Sequence, residues 1–562
     1  MKKRTAFILL ASLMIMSIAA ACGSPANNDA TTAASEAAKT KAEAPASTTK
    51  APETTTEAPA TTTKTSETTT KAPATAKAAE TSPNVAADAA KEIIWWVGHT
   101  NDGGFDWDTV YKEAAGYVLK TLNIKVDFKW MDDWQQARER FPIMIAAGED
   151  LGVMPFTSYG VDYLREALSG AFTPMDDLLA QYAQGTKALF PDKIWDAMRV
   201  KGIIYGVPTN RDNCVIESAV YNVEMAEKLG IDMSKYTTWT NIMDKEDLLN
   251  EIWEKRRELM PEWGEHAIML GMPVPQSTFA MEQPIGNFLA AVYNYPDIND
   301  FPGKDKDTVF NMYETPEYYE YIKMAARLAK AGIIPTDAVD QIKTDGGFFF
   351  ETLTGWIIVD ETHWKSENPE SVLVKHMPAA RNWTDTFSYQ VAGVAISSMT
   401  KEPEACMRAI ELMNTDSFLA TLVRFGVEGI HWNYDANGKM VQTDPITYQN
   451  WYGAFIGNVM VVNAPEKFAG PNNEFFTILQ ASNKNASTNH MGFMMDTESV
   501  ENELTALRAV IAEYDTTLRG LLKDESAAVT LADEFNAKLY ANGLQKVHDE
   551  VTRQLDVWKS EN

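Results

Sequence analysis

Glu92-Ile-Ile-Trp-Trp-Val97, Ile124-Lys-Val-Asp-Phe-Lys-Trp130 and Gly148-Glu-Asp-Leu-Gly-Val-Met-Pro155 are the three stretches on which the fold turns. The first is a short apolar run of strand formers and reads as a buried strand. The second alternates, with Ile124, Val126, Phe128 and Trp130 on one face, which is the period of a strand. The third is a turn that enters a third short strand. Helical patterns fill the intervals, one from Trp107 to Leu122 and one near Trp134–Ala147. Strands alternating with helices predict an α/β body on a mainly parallel sheet, with helices on both faces. Ligands of such sheets sit beyond the carboxyl ends of the strands.

Upstream of this body the chain is of a different kind. Lys2, Lys3 and Arg4 form a positive leader, and an apolar run follows from Ala6 to Ile18. That run is too short for a stable membrane span and fits the core of a secretory signal. Ala19-Ala20-Ala21-Cys22 then places a thiol after small residues, the pattern of a lipobox, although leucine is more usual where Ala19 stands. Residues 1–21 are therefore expected to be a lipoprotein signal peptide, with Cys22 the acylated start of the mature chain. Two or three acyl chains anchor a protein where a single chain binds only reversibly. Residues 22–91 are of low complexity and carry an imperfect heptapeptide: APASTTK at 44–50, APETTTE at 51–57 and APATTTK at 58–64. These repeats hold no Leu, Ile or Val, so a coiled coil would have nothing to bury, and a disordered tether is expected.

The body beyond residue 91 carries 40 basic and 70 acidic side chains, a net charge of −30 against −28 for the whole chain. So acidic a body repels nucleic acid and anionic membrane surfaces. The cysteines are Cys22, Cys214 and Cys406, a spacing that suits neither a zinc site nor a disulfide framework. Cys214 and Cys406 read as buried thiols. The sequence has no P-loop, no His-Glu-x-x-His and no Gly-x-Ser-x-Gly. The seven histidines, at 99, 266, 363, 376, 431, 490 and 548, lack metal-ligand spacing. Asp435-Ala-Asn-Gly looks like the start of a calcium loop but lacks the later ligands, so a hairpin turn is expected there. The sequence gives no pointer to a cofactor, a resident metal or a catalytic group.

Four segments carry a family resemblance. Ala146-Ala-Gly-Glu-Asp-Leu-Gly-Val153 is similar to the Ala-x-Gly-x-x-Pro-Asp-hydrophobic signature of extracellular solute-binding proteins, family 1. Gly148 matches the glycine, and the Pro-Asp pair is replaced. Trp195-Asp-Ala-Met-Arg-Val-Lys-Gly-Ile-Ile-Tyr-Gly-Val-Pro208 resembles the segment leading into that family's first hinge. Val220-Tyr-Asn222 resembles its next strand, and Lys401-Glu-Pro-Glu-Ala-Cys-Met-Arg408 a later helix start. The pieces occur in the family's order over most of residues 92–415. Phe425-Gly-Val-Glu-Gly-Ile-His-Trp432 and Asn433-Tyr-Asp-Ala-Asn-Gly-Lys439 resemble the LplA-like subgroup. So does the stretch from about Gly492 to Trp558, its C-terminal domain of uncharacterised function. Two helical stripes are readable there without any family: Val500, Leu504, Leu507, Val510, Ile511, Tyr514, Leu518 and Leu521, then Leu544, Val547, Val551, Leu555 and Trp558.

The resemblance implies a two-lobed periplasmic-binding-protein-like fold of the class II type, two doubly wound sheets with the solute in an interlobe cleft. It implies lobe one at 92–209 plus 376–417, and lobe two at 210–375 plus 418–562, including a helical region at 492–562. It also implies a function. The protein would be a lipid-anchored extracellular monomer that delivers a small solute to the permease subunits of an ABC importer. Its place would be the outer face of a bacterial cytoplasmic membrane, of the Gram-positive type. An extracellular lipid-anchored polysaccharide-active enzyme and a structural wall protein are the alternatives. Missing catalytic motifs count against the first, and paired lobes against the second.

All 15 tryptophans lie in the body. Sugar rings stack on flat aromatic faces, and their hydroxyls take Asp, Asn, Arg and Gln partners, so an oligosaccharide is the expected solute. Position selects the candidates. His99 and Asp102 follow the first strand; Phe156, Ser158 and Tyr159 follow the third. Asn210, Arg211 and Asp212 follow Val207-Pro208-Thr209. Trp356 follows Phe348-Phe-Phe-Glu-Thr-Leu-Thr-Gly355, and Trp364 lies just beyond. Arg211 equally reads as half of a structural salt bridge. Trp95, Trp130 and Trp558 read as core.

Overall fold

The computed structural model describes residues 89–98, 105–131, 134–157, 160–235, 243, 245–261, 268, 281–282, 292–293, 307–334, 350–354, 374–450, 457–466, 474–486 and 488–561. The body forms one compact unit from Ala90 onward. It holds two large and separate hydrophobic cores, one for each lobe. Of the sites read from sequence, Cys22, His99, Asp102, Ser158, Tyr159, Trp356 and Trp364 lie outside the described residues.

The three opening strands are β1 (Lys91–Gly98), β2 (Ile124–Met131) and β3 (Val153–Thr157). A small hairpin of β4 (Arg199–Val200) and β5 (Ile203–Ile204) leads to β6 (Gly206–Pro208). Crossing to the second lobe, the chain forms β7 (Val215–Asn222), the short pair β8 (Met281–Glu282) and β9 (Val292–Tyr293), then β10 (Phe350–Thr354) and β11 (Val374–Trp383). It returns through β12 (Ala392–Ile396), and a hairpin of β13 (Trp432–Tyr434) and β14 (Met440–Gln442) follows.

The first sheet has the order β2-β1-β3-β12-β6. β1 runs parallel to both β2 and β3, as the strand–helix alternation predicts. β12 is antiparallel to both its neighbours, because it arrives from the other lobe. All five residues of β3 and of β12 are buried, as interior strands covered on both faces must be. The turn into β3 depends on Gly152. Its φ is +58°, and a Cβ there would lie 2.1 Å from the Ile94 carbonyl oxygen, so no other residue fits. The helix Trp107–Leu122 is capped by Asp106, whose carboxylate accepts the Thr109 N–H, and it buries Val110, Tyr111, Ala114 and Val118 against this sheet.

In the second sheet, β7 is central between β10 and β11, and both pairings are antiparallel. Its described strands therefore depart from the doubly wound pattern expected for lobe two. Among the described residues, helices build most of this lobe. Leu249, Ile252 and Trp253 of Glu246–Leu259 share one core with Tyr318, Tyr321, Ile322 and Ala325 of Pro316–Ala331. Three C-terminal helices, Glu501–Thr516, Glu525–Ala541 and Leu544–Glu561, complete the same core with Leu504, Leu507, Phe535, Leu539, Leu544, Val547 and Val551. Each such burial stabilises by about 1.5–3 kcal/mol. A buried amide pair fixes the docking: Asn311 donates to Asn536 at 2.8 Å, and Asn536 donates to the Tyr313 carbonyl at 2.7 Å.

The lobe boundaries read from sequence need two corrections. Leu419, Leu422 and Val423 of the helix Ser417–Phe425, together with Tyr448, pack in the first core. Lobe one therefore runs past 417, because that helix has an apolar face to bury beside Trp107–Leu122. β11 pairs with β7 as far as Trp383, so residues 376–383 belong to the second sheet and lobe one resumes after it. Cys214 and Cys406 are both buried and unpaired, and burial pushes each thiol up to about 12.

Candidate functional site

β1, β2 and β3 all end on one edge of the first sheet, at Gly98, Met131 and Thr157. This is the edge at which a sheet of this kind presents a ligand site. Described aromatic residues cluster there. Phe105 and Trp107 stand at the start of the helix that follows β1, and Trp130 at the end of β2. Trp107 meets Trp130 edge to face at 5.8 Å and Tyr448 at 5.1 Å, and Trp130 meets Tyr111 at 4.5 Å. Phe105, Trp107 and Trp130 are only partly buried. Trp130, read as core from the sequence, packs against the first core and stays partly exposed at its rim. Trp95 is a core residue as expected, at 1% exposure.

The loop that carries Tyr448 is held to this rim by His431 and Asp106. His431 is buried, and its Nδ1 accepts the Val427 N–H at 2.9 Å. Its proton therefore sits on Nε2, which faces Asp106 Oδ2 at 3.5 Å. Burial lowers the His431 pKa more than Asp106 raises it, so the ring is neutral. The Asp106 N–H adds a bond to the Thr447 carbonyl at 3.0 Å. The β13–β14 turn is the expected hairpin: Asp435 Oδ1 accepts the N–H groups of Asn437 and Lys439, each at 2.8 Å.

Asn210, Arg211 and Asp212 lie on the first crossing between lobes, directly after β6. Asn210 bridges to Asn458, backbone to backbone and through a side-chain bond of 2.9 Å. Arg211 Nε meets Asp212 Oδ1 at 2.8 Å, with the two side chains 16% and 6% exposed. This is the structural salt bridge that the sequence left open for Arg211. Burial raises the Asp212 carboxyl to about 6, against the pull of Arg211.

Phe156 is not on this surface. Its ring is fully buried and fills the space over Gly393 and Gly206; a Cβ on Gly393 would stand 2.3 Å from it. A strand buried on both faces gives the sequence no way to tell which residues look toward its end. The candidates missed from sequence are Phe105 and Trp107, which rest on the fully buried ring of Tyr448. Phe105 and Trp107 follow the first strand as His99 and Asp102 do, and that signal was available. Tyr448 joins them from more than three hundred residues away, and no local pattern announces it.

Comparison with known proteins bears on what this edge serves. A family model described as "Domain of unknown function (DUF3502)" matches residues 489–560. A carbohydrate ABC transporter substrate-binding protein of Streptococcus pneumoniae serotype 4 is 23% identical over 495 residues, 84% of this chain and 92% of that one. Among solved structures, the N-glycan transport solute binding protein NgtS of Streptococcus pneumoniae superposes with a TM-score of 0.69 at 19% identity, covering 84% of this chain and all of that one. The fold is that of a solute-binding protein. A solute-binding protein of Bifidobacterium longum infantis, named for binding HMO and for its ABC transporter, gives 0.53 at 14% identity, over 84% of this chain and 99% of that one. The solute-binding fold accounts for the paired cores and for the crossing at 209–214. The C-terminal stretch read from about Gly492 coincides with the domain of unknown function.

Proposed function

We propose that this protein is the binding component of an ABC importer and that its solute is an oligosaccharide, held between the lobes. The observation that carries the reading is the likeness to a carbohydrate substrate-binding protein along 92% of that protein's length. The chemistry of the first lobe's edge supports it. Phe105, Trp107 and Trp130 supply aromatic faces for the C–H side of a sugar ring, and Asn210, Arg211 and Asp212 supply polar partners for hydroxyls. By their place in the sequence alone, His99, Asp102, Ser158, Tyr159, Trp356 and Trp364 are assigned to the same site. The protein binds without altering its solute, works as a monomer and passes the solute to permease subunits. Its anchor is the acyl chain on Cys22, at the outer face of a Gram-positive cytoplasmic membrane. Among the described residues, no helix is long and apolar enough to cross a membrane.

A thermal-shift screen over oligosaccharides, with peptides as the control class, tests the reading. A ligand at 100 times its Kd adds ~2.7 kcal/mol of stability, and the recovered sugar should be chemically unchanged. A shift with peptides and none with sugars would overturn the assignment of solute. Labelling with a clickable fatty acid that marks wild type and Cys22→Ala equally would overturn the anchor.

A further inference from the structure

Residues 490–495 are divided between the two lobes almost residue by residue. Phe493 and Met495 are buried in the second core, while Met491 and Met494 pack against the first. Here the chain crosses between the lobes a third time, since the first core runs to Tyr448 and the second resumes at Phe493, and polar bonds tie this crossing to the other two. Asn483, at the end of the helix Glu474–Asn485, accepts the Asn213 N–H at 2.9 Å and donates to the Arg211 carbonyl, which holds the first crossing. Thr386 begins the short helix after β11, on the second crossing, and is 5% exposed. Its Oγ1 accepts the Gly492 N–H at 2.8 Å and donates to the His490 carbonyl at 3.5 Å. The segment is also fastened in lobe two. His490 Nε2 lies 3.0 Å from Asp307 Oδ1, and Asp307 Oδ2 takes the Lys559 ammonium at 2.7 Å.

A segment fastened in this way cannot follow both lobes when they turn against each other. If it stays with lobe two, Met491 and Met494 leave the first core, and Thr386 loses the Gly492 N–H. If it stays with lobe one, Phe493 and Met495 leave the second. Each alternative exposes apolar surface and strands a buried polar group. We propose that residues 483–486 and 488–495 form a brace that fixes the angle between the lobes before solute arrives. This gives the leading edge of the C-terminal domain of unknown function a role: it sets the starting state for capture. The meaning for uptake rests on the solute-binding reading, but the brace itself does not.

The test is therefore made without solute. Spin labels are placed at Glu113→Cys, on an exposed face of lobe one, and at Glu534→Cys, on an exposed face of lobe two. The full chain carries Cys22→Ser, and Cys214 and Cys406 are buried, so they do not compete for label. Double electron–electron resonance on this background should give one narrow interlobe distance. Met494→Ala and Thr386→Val should each broaden or shift it by several ångström, and Thr386→Ser, which keeps the hydroxyl, should restore it. If both variants fold and reproduce the background distribution, the brace is refuted. Should Met494→Ala fail to fold, the Thr386 pair decides alone. A negative result here leaves the sugar screen untouched, and a failed sugar screen leaves these distances standing.

Discussion

The side-chain amide of Asn210 donates to Asn458 at 2.9 Å across 248 residues of chain, and the Asn210 carbonyl holds the Val459 N–H at 3.0 Å. Asn458 passes the link on, donating to the Asn414 carbonyl at 3.1 Å. Asn213 does the same work four residues into the crossing. Its Nδ2 donates to the Thr209 carbonyl at 3.1 Å, its Oδ1 accepts the Arg211 N–H at 3.0 Å, and its own carbonyl accepts Thr384 Oγ1 at 2.6 Å. Asparagine suits these positions because one side chain both donates and accepts.

Asn213→Ala should accordingly destabilise. It leaves a buried carbonyl and a buried N–H without partners, at about 1–3 kcal/mol. The expected readout is a lower urea midpoint with an unchanged slope. A wild-type midpoint would mean that the backbone alone holds the crossing.

Asp212 should give the protein a recognisable pH signature. Its carboxyl is raised from 3.8 to about 6 by burial, and Arg211 offsets only part of that. The folded state therefore binds more protons than the unfolded one inside that window. The contribution of Asp212 to stability is present at the acid end, declines as pH rises through the window, and is flat above it. Asp212→Asn removes the titration. The unfolding free energy of the variant minus that of wild type should rise through the window and then level off. A difference that does not change with pH would mean the pair stays ionised throughout.

Phe535 tests whether the C-terminal helices are structural. It is fully buried, and it meets Tyr313 edge to face at 4.9 Å and Tyr514 in a stacked contact at 5.3 Å. Phe535→Ala should cost about 3–5 kcal/mol, and removal of residues 498–562 should give insoluble protein. A soluble truncation with normal melting would show that the helices form a detachable module.

Trp356 and Trp95 should behave oppositely. Trp356→Ala is expected to weaken oligosaccharide binding by about 1–3 kcal/mol with little change in melting temperature, measured by calorimetry and by a thermal scan. Trp95→Ala, in the first core, should lower stability by about 3–5 kcal/mol. A collapse in melting for Trp356→Ala would move that residue from the site to a core.

The sequence and the structure agree where one physical signal dominates. β1, β2 and β3 and the helix Trp107–Leu122 are legible because their apolar residues repeat with a single clear period. The helix Glu525–Ala541 was missed between two that were read. Its buried face is Ala528, Ala532, Phe535 and Leu539, and alanine gives little hydrophobic contrast. The helix Ser417–Phe425 lies in lobe one, beyond the boundary expected at 417, because its apolar face packs against the helices Trp107–Leu122 and Pro403–Thr415. Asn210, Arg211 and Asp212 are proposed for the site from their place after a hinge-like segment. The His431–Asp106 contact and the aromatic group around Trp107 were not legible, since each joins residues from distant parts of the chain.

The second core draws on residues 221–334 and then on residues 493–555, with the whole return through the first lobe in between. Synthesis is vectorial, so the order of emergence matters. The first lobe has all its strands once residue 396 has appeared, but the second is then missing three helices from its interior. If the chain is exported as the proposed function requires, it gains from that delay, because the second lobe has no complete core to close while its far end is still being made. A product halted before residue 493 would expose a wide apolar face and be fit for proteolysis, never for partial service.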